Sequence, residues 1–325
     1  MPRICVRVRI PCCLMLFPLL FSLVTPLSAQ QVNRPRITGI SHVGYFVSDL
    51  PAAVSFWHDF LGYDQAYDLK RPDGSVRIAF IKINDHQHIE LFNESPTSPR
   101  NMMSHVCFTV DDIEQMRAYL QSQGIDVKPG EGEKTRTGDY AFEIKDPDGT
   151  LVEFVQTLPT GKEAQAAGKF LPESRIAPRI YHVGFLVGDS EKAMDFYGRI
   201  LGFKETWRGG ADPKVLSWIN MKVPDGDDYI EFMLYGSLPD ASTWGSRNHT
   251  SLVVADTAKS VAELEARPAF KTYGKPLKIA TGVNGKHQVN MYDPDSTRVE
   301  LMEPTTASGK PVPPSTAPPP TPVAK

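Results

Sequence analysis

The sequence predicts an α+β fold built from four βαβββ modules arranged as two homologous halves. Three observations lead there. Residues 40–63 (ISHVGYFVSDLPAAVSFWHDFLGY) match 180–203 (IYHVGFLVGDSEKAMDFYGRILGF) at ten of 24 positions. Residues 146–156 (DPDGTLVEFVQ) match 293–303 (DPDSTRVELME) at six of eleven. Each half also starts a second strand, at Ser104-His105-Val106 and at His249-Thr250-Ser251. Self-similarity at a fixed offset marks a copied structural unit. The modules fall at 36–93 and 103–158 in the first domain (36–158), and at 179–236 and 247–304 in the second (179–304). A linker, 159–178, joins them.

Each element follows from local pattern. A module opens with an alternating strand, and an aspartate then offers a helix N-cap: Asp49, Asp111 or Asp112, Asp189 and Asp256. Val54, Trp57 and Leu61 have helical spacing, as do Ile113, Met116 and Leu120. Gly62, Gly124 and Gly202 suit the helix stop. Strands follow, such as Val76–Ile83 and His88–Phe92, and Asp146-Pro147-Asp148-Gly149 is turn chemistry between two of them. In the linker, KEAQAAGKFL reads as a short helix.

The two ends stand apart. Arg3, Arg7 and Arg9 precede an apolar run, Ile10–Val24, and Leu27-Ser28-Ala29. That is the layout of a signal peptide, 1–29, which predicts an exported protein, periplasmic or secreted, with no stable membrane insertion after cleavage. Cleavage takes the net charge from −3 to −6 and leaves Cys107 as the one cysteine, so no internal disulfide can form. Residues 305–325 carry seven prolines without apolar periodicity and read as a disordered, Pro-rich tail. The 325-residue chain is 41% hydrophobic, enough to bury a core. Its negative balance gives no electrostatic case for a nucleic-acid partner.

Strand parity places the chemistry. One face of the four opening strands carries Val43/Tyr45/Val47, Val106/Phe108/Val110, Val183/Phe185/Val187 and Thr250/Leu252/Val254, which should pack under the helices. The other face begins with histidine each time: His42, His105, His182 and His249. Two residues on come Gly44, Cys107, Gly184 and Ser251, small enough to leave room for a ligand. The closing strands each hold one carboxylate between apolar neighbours: Glu90, Glu153, Glu231 and Glu300. Such carboxylates are costly to bury without a cation or proton. The order His42, Glu90, His105, Glu153, with spacings of 48, 15 and 48, recurs as His182, Glu231, His249, Glu300, with 49, 18 and 51. A mixed nitrogen and oxygen set suits a divalent ion such as Ni, Co, Mn, Zn or Fe(II), one per domain. Lys134 and Arg136 read as solvated loop charges, and Cys107 as a small filler rather than a nucleophile.

With these eight residues the sequence resembles the vicinal oxygen chelate superfamily, which includes glyoxalase I, extradiol dioxygenases and antibiotic-resistance proteins. The resemblance covers about 36–304. It implies two glyoxalase-like domains, each a pair of modules whose mixed sheet curls round a cavity, with metal ligands on first and last strands. By that resemblance the function is a metal-dependent lyase or isomerase of glyoxalase I type. Its small-molecule substrate is α-oxygenated and chelated through vicinal oxygens, and Glu153 and Glu300 are the catalytic bases. Phe46 and Leu186 stand where bacterial glyoxalase I has a glutathione-binding arginine, which points away from a glutathione adduct. An alternative is an Fe(II) extradiol-type ring-cleavage dioxygenase, because His287 and Tyr292 in GKHQVNMYDPDSTRVE look like a loosened form of that family's signature. A second alternative is a non-catalytic binder of a toxin or antibiotic. His88, which shares the face of Glu90, and Arg298, which shares that of Glu300, join His287 and Tyr292 as substrate-binding candidates. Module pairing across chains, as in a homodimer, stays open.

Overall fold

A computed structural model describes residues 1, 2, 4, 32–95, 102–127, 133–240 and 243–322. Apart from Met1, Pro2 and Ile4, the expected signal peptide lies outside the described residues, and so do Cys5, Cys12 and Cys13. The described residues from 32 onward form one compact unit.

The first half runs β1 (Ile37–Phe46), α1 (Leu50–Ser55), β2 (Gln65–Lys70), β3 (Val76–Asn84), β4 (Gln87–Phe92), β5 (Met103–Val110), α2 (Ile113–Ser122), β6 (Glu133–Lys134), β7 (Tyr140–Lys145) and β8 (Leu151–Gln156). After α3 (Lys162–Gln165) the second half runs β9 (Ile180–Val187), α4 (Ser190–Ala193), β10 (Lys204–Gly209), β11 (Trp218–Lys222) and β12 (Tyr229–Leu234). It closes with β13 (His249–Val253), α5 (Thr257–Ala266), α6 (Phe270–Tyr273), β14 (Ile279–Thr281), β15 (Lys286–Tyr292) and β16 (Arg298–Thr306). Each half is one curled mixed sheet, ordered β2-β3-β4-β1-β5-β8-β7-β6 and β10-β11-β12-β9-β13-β16-β15-β14. Modules therefore pair within a half. Opening strands β1 and β5, and likewise β9 and β13, lie antiparallel at the centre, each parallel to its own module's last strand.

The helices begin where aspartate can cap them. Asp49, Asp112, Asp189 and Asp256 accept hydrogen bonds from the backbone N–H groups of Ala52, Gln115, Lys192 and Lys259, each worth about 1 kcal/mol. The first helix of each half ends differently from the regular pattern expected. α1 and α4 widen into π-helical turns, Phe56–Phe60 and Met194–Ile200, in which Leu61 N–H reaches Phe56 O and Leu201 N–H reaches Phe196 O. The wider turn lets Phe56, Trp57, Phe60 and Leu61 all face inward. Gly62 then reverses the chain at φ 83°, where a Cβ would also lie 2.1 Å from Ser174 O. The expected linker helix is one turn only. Buried Lys82 caps the Ala166 carbonyl, and Gly168 turns away at φ 70°.

The apolar faces of the opening strands are buried as their parity requires, from Val43 at 0% to Val254 at 3% exposed. They belong to a core that continues through both halves. Asp228 joins the halves, accepting from Ile40 N–H, Gln87 Nε2 and Arg179 Nη1. The tail departs from the expected disorder. β16 runs on to Thr306; then Ser315 N–H donates to Arg208 O and Leu216 N–H to Pro318 O, at 2.9 Å each. An extended, proline-fixed strip has little backbone entropy to lose when it docks, which is why composition alone misjudges it.

Candidate metal centre

Register brings the expected ligands together. In the first half Gly44 lies between Glu90 and His105, and Cys107 between His42 and Glu153. Four polar side chains thus crowd over two small residues. A Cβ on Gly44 would stand 2.5 Å from His105 Cε1, and one on Gly184 2.0 Å from His249 Cε1. Contrary to the expectation that these small residues leave room for a ligand, each glycine gap holds the neighbouring imidazole.

In this first set His42 Nε2 lies 3.0 Å from His105 Nε2 and 2.9 Å from Glu153 Oε2. His105 Nε2 is 3.2 Å from the same oxygen. Ser41 Oγ and Ser104 Oγ meet the opposite ring nitrogens, at 3.1 and 3.2 Å, and so aim both Nε2 atoms at one point. Glu90 stands back, at 3.7–3.8 Å from the two imidazoles. His88 stacks on His42 with centroids 4.5 Å apart, and its buried Nε2 has no hydrogen-bond partner among the described residues. The set opens onto a cavity of about 200 Å³ that also meets Asp139, Glu143 and Glu163.

The electrostatics ask for a cation. Burial raises the Glu90, Glu143, Glu163 and Asp139 carboxyls above their ordinary range. Burial would raise Glu153 too, but the His105 and His42 hydrogen bonds outweigh it and hold it far below. Burial would lower His105, yet Glu153 lifts it to about 9. Burial lowers His42 and His88, leaving both as neutral donors of a lone pair. The His105 proton sits among these close-set donor atoms, in the place a divalent ion would take. The donor set therefore fits a divalent ion.

The second set is built alike and filled differently. His182 Nε2 and His249 Nε2 are 3.1 Å apart, but Glu300 is 3.5 Å from the first and Glu231 3.7 Å from the second. Arg298 lies opposite His249 in register, where the first half has Leu151 opposite His105. Its Nη2 contacts His249 Nδ1 and stands 3.1 Å from Nε2. Tyr229 stacks on His182 at 4.6 Å, in the place His88 takes on His42. Burial, then Arg298, pushes both histidines well down. Burial, then Glu300, raises Glu231 to about 8, and burial raises Glu300. His182, His249 and Glu300 still keep their donor atoms within 4.8 Å of one another. The guanidinium, however, already supplies the positive charge at this point, so the set does not fit a metal ion as the first does.

The remaining candidates scatter. His287 lies one residue out of phase with Asn290, which faces Glu300, and it stands 3.4 Å from Glu303. Tyr292 lines a separate cavity with Phe56, Phe60 and Tyr273. Neither joins a His-Glu set, and Arg298 binds His249 rather than facing open space. Arg136, expected as a solvated charge, borders the first cavity, as Glu143 does. Glu143 was legible in principle, since it alternates with apolar residues on β7 and pairs with Glu153 across β7–β8.

The chain belongs to the Glyoxalase/Bleomycin resistance protein/Dioxygenase superfamily, whose family model matches residues 39–154 and 179–301. It is 32% identical over 266 residues to a lactoylglutathione lyase of Schizosaccharomyces pombe, covering 75% of this chain and 82% of that protein. It is 26% identical over 232 residues to glyoxalase I of Saccharomyces cerevisiae, covering 65% of this chain and 66% of the yeast protein, just under two thirds of its length. Among solved structures, a Mn(II)-bound glyoxalase from Novosphingobium aromaticivorans shares the fold at TM-score 0.61 and 18% identity, over 88% of this chain and 87% of that one. A homoprotocatechuate 2,3-dioxygenase from Brevibacterium fuscum does so at TM-score 0.62 and 16% identity, over 89% and 87%. Among the described residues, no helix is long and apolar enough to cross a membrane.

Proposed function

We propose that the first half is the reactive centre of a metal-dependent lyase or isomerase of the glyoxalase I type. It acts on a small α-oxygenated substrate. The observation that carries this reading is the convergence of His42, His105 and Glu153 on one point beside a carboxylate-rich cavity. These residues, with Glu90, would hold the ion. A bound divalent ion would act as a Lewis acid toward two neighbouring substrate oxygens and so make the adjacent C–H acidic. The chain supplies the rest. Glu153 is tied down by two imidazoles, whereas Glu90 makes no hydrogen bond among the described residues and stands 3.6–3.8 Å from three imidazoles. Glu90 is thus the better proton acceptor, a change from the role first expected of Glu153. His88, 3.6 Å from Glu90 with a free Nε2, can pass that proton on. Tyr67 and Phe80, stacked at 4.4 Å, form an apolar wall that keeps water from the acidified carbon. The cavity's size favours a substrate of a few carbons over a glutathione adduct. We also propose export, on the sequence of residues 1–29.

Exchange of the substrate C–H for deuterium, followed by NMR on Mn-, Co-, Ni- or Zn-loaded protein with dihydroxyacetone and hydroxyacetone, tests this. Exchange that falls by about a hundredfold or more in Glu90→Gln is expected. No exchange with any ion would contradict the reading. One observation favours a second reading: two histidines and one carboxylate at close range, with Glu90 set back, is the three-ligand pattern of Fe(II) oxygenases. Oxygen uptake with catechols under Fe(II) would establish it instead.

A further inference from the structure

The second half has a concave face that the proposed chemistry leaves unused. A cavity of about 610 Å³ opens there, roughly three times the volume of the first. It reaches neither His249 nor Glu300, and Tyr229, stacked on His182, lines the side toward them. The Pro-rich tail, Pro304 to Pro314, forms its outer wall. Its inner wall includes Trp207 and Asn220, which belong to a row paired across three strands that ends at Glu231. The same row in the first half is Tyr67, Phe80 and Glu90, whose two aromatic rings stack on each other.

The exchange of Phe80 for Asn220 changes the chemistry. Asn220 is 6% exposed, and its Oδ1 is buried without a partner among the described residues. Trp207 Nε1 is buried without one too. A Cβ on Gly209 would lie 2.3 Å from the Trp207 ring, so that glycine lets the indole lie flat along the wall. Two unmet polar atoms in a row, one acceptor and one donor, are costly unless a ligand meets them. Lys286 adds a positive charge, its Nζ 2.9 Å from Tyr181 Oη and 4.9 Å from that ring's centroid. One hydrogen bond leaves an ammonium with two more donors. Aromatic faces, a few polar groups and this volume are the usual make-up of a small-molecule site.

We propose that the second half binds a small hydroxylated, ring-bearing carboxylate without a metal, beneath the tail. The ring packs against Trp207, Tyr181 and Tyr229, Lys286 takes the carboxylate, and the Asn220 carbonyl accepts from the hydroxyl. This site does not depend on the chemistry assigned to the first half.

Calorimetric titration of the full chain, freed of metal by EDTA, tests the proposal with para-hydroxybenzoate and its neutral amide as probes. One acid per chain should bind, and the amide should bind at least about tenfold more weakly. Lys286→Met should remove that preference, Asn220→Leu should weaken the acid about tenfold, and His42→Ala should change nothing. Equal affinity for acid and amide would overturn the proposal. So would no binding at millimolar acid, or binding lost in His42→Ala and kept in Lys286→Met.

Discussion

The two concave faces share strand order, register and a His-Glu-His-Glu skeleton, yet they balance charge in opposite ways. The first gathers Glu90, Glu153, Glu143, Glu163 and Asp139 around three histidines, and the positive charge at its centre is a titratable imidazole, His105, rather than a guanidinium. The second carries its own cation, Arg298, where the first has Leu151. Buried carboxylates and imidazoles need a compensating positive charge. A duplicated site can meet that need with an ion from solution or with a side chain. We propose that each half takes one of the two routes.

The largest effect should come from exchanging the routes. Arg298→Leu gives the second half the residue of the first. It leaves Glu300 buried without its guanidinium neighbour, at a cost of about 3 kcal/mol to the metal-free chain. Added Mn or Ni should restore that stability, read as the urea midpoint with and without the ion. Loss of stability that no ion restores would mean that the second skeleton has lost the ability to hold a metal. A smaller effect comes from Glu231. Its folded pKa of about 8 lies above the ordinary glutamate value near 4.5. The folded state therefore holds that proton more tightly than the unfolded chain does. Stability is complete below the ordinary value and is lost as pH rises through about 8. Glu231→Gln should thus stabilise the chain by about 1–2 kcal/mol near pH 9 and leave it unchanged near pH 4, in urea melts at both.

Much of this was legible because it is periodic. A histidine opening each first strand and a glutamate inside each last one are set by strand alternation, and repeated registers carry both to one sheet face. What was not legible depends on partners distant in sequence. Strand parity sets Arg298 on the Glu300 face, but its contact with His249 follows from the β13–β16 register. The small size of Gly44 and Gly184 suggests room for a ligand, whereas each receives a ring from the next strand. The tail's fixed course depends on Arg208 and Leu216, about a hundred residues upstream. His287 and Tyr292 were drawn from a motif, and strand phase and the neighbouring helices take them elsewhere.

The central claim is that one half binds metal and the other replaces it. Elemental analysis of the reconstituted full chain, beside His42→Ala and His182→Ala, tests that claim directly. The account predicts one ion per chain, lost in His42→Ala and kept in His182→Ala. Two ions per chain, or a single ion that survives His42→Ala and disappears with His182→Ala, would contradict it.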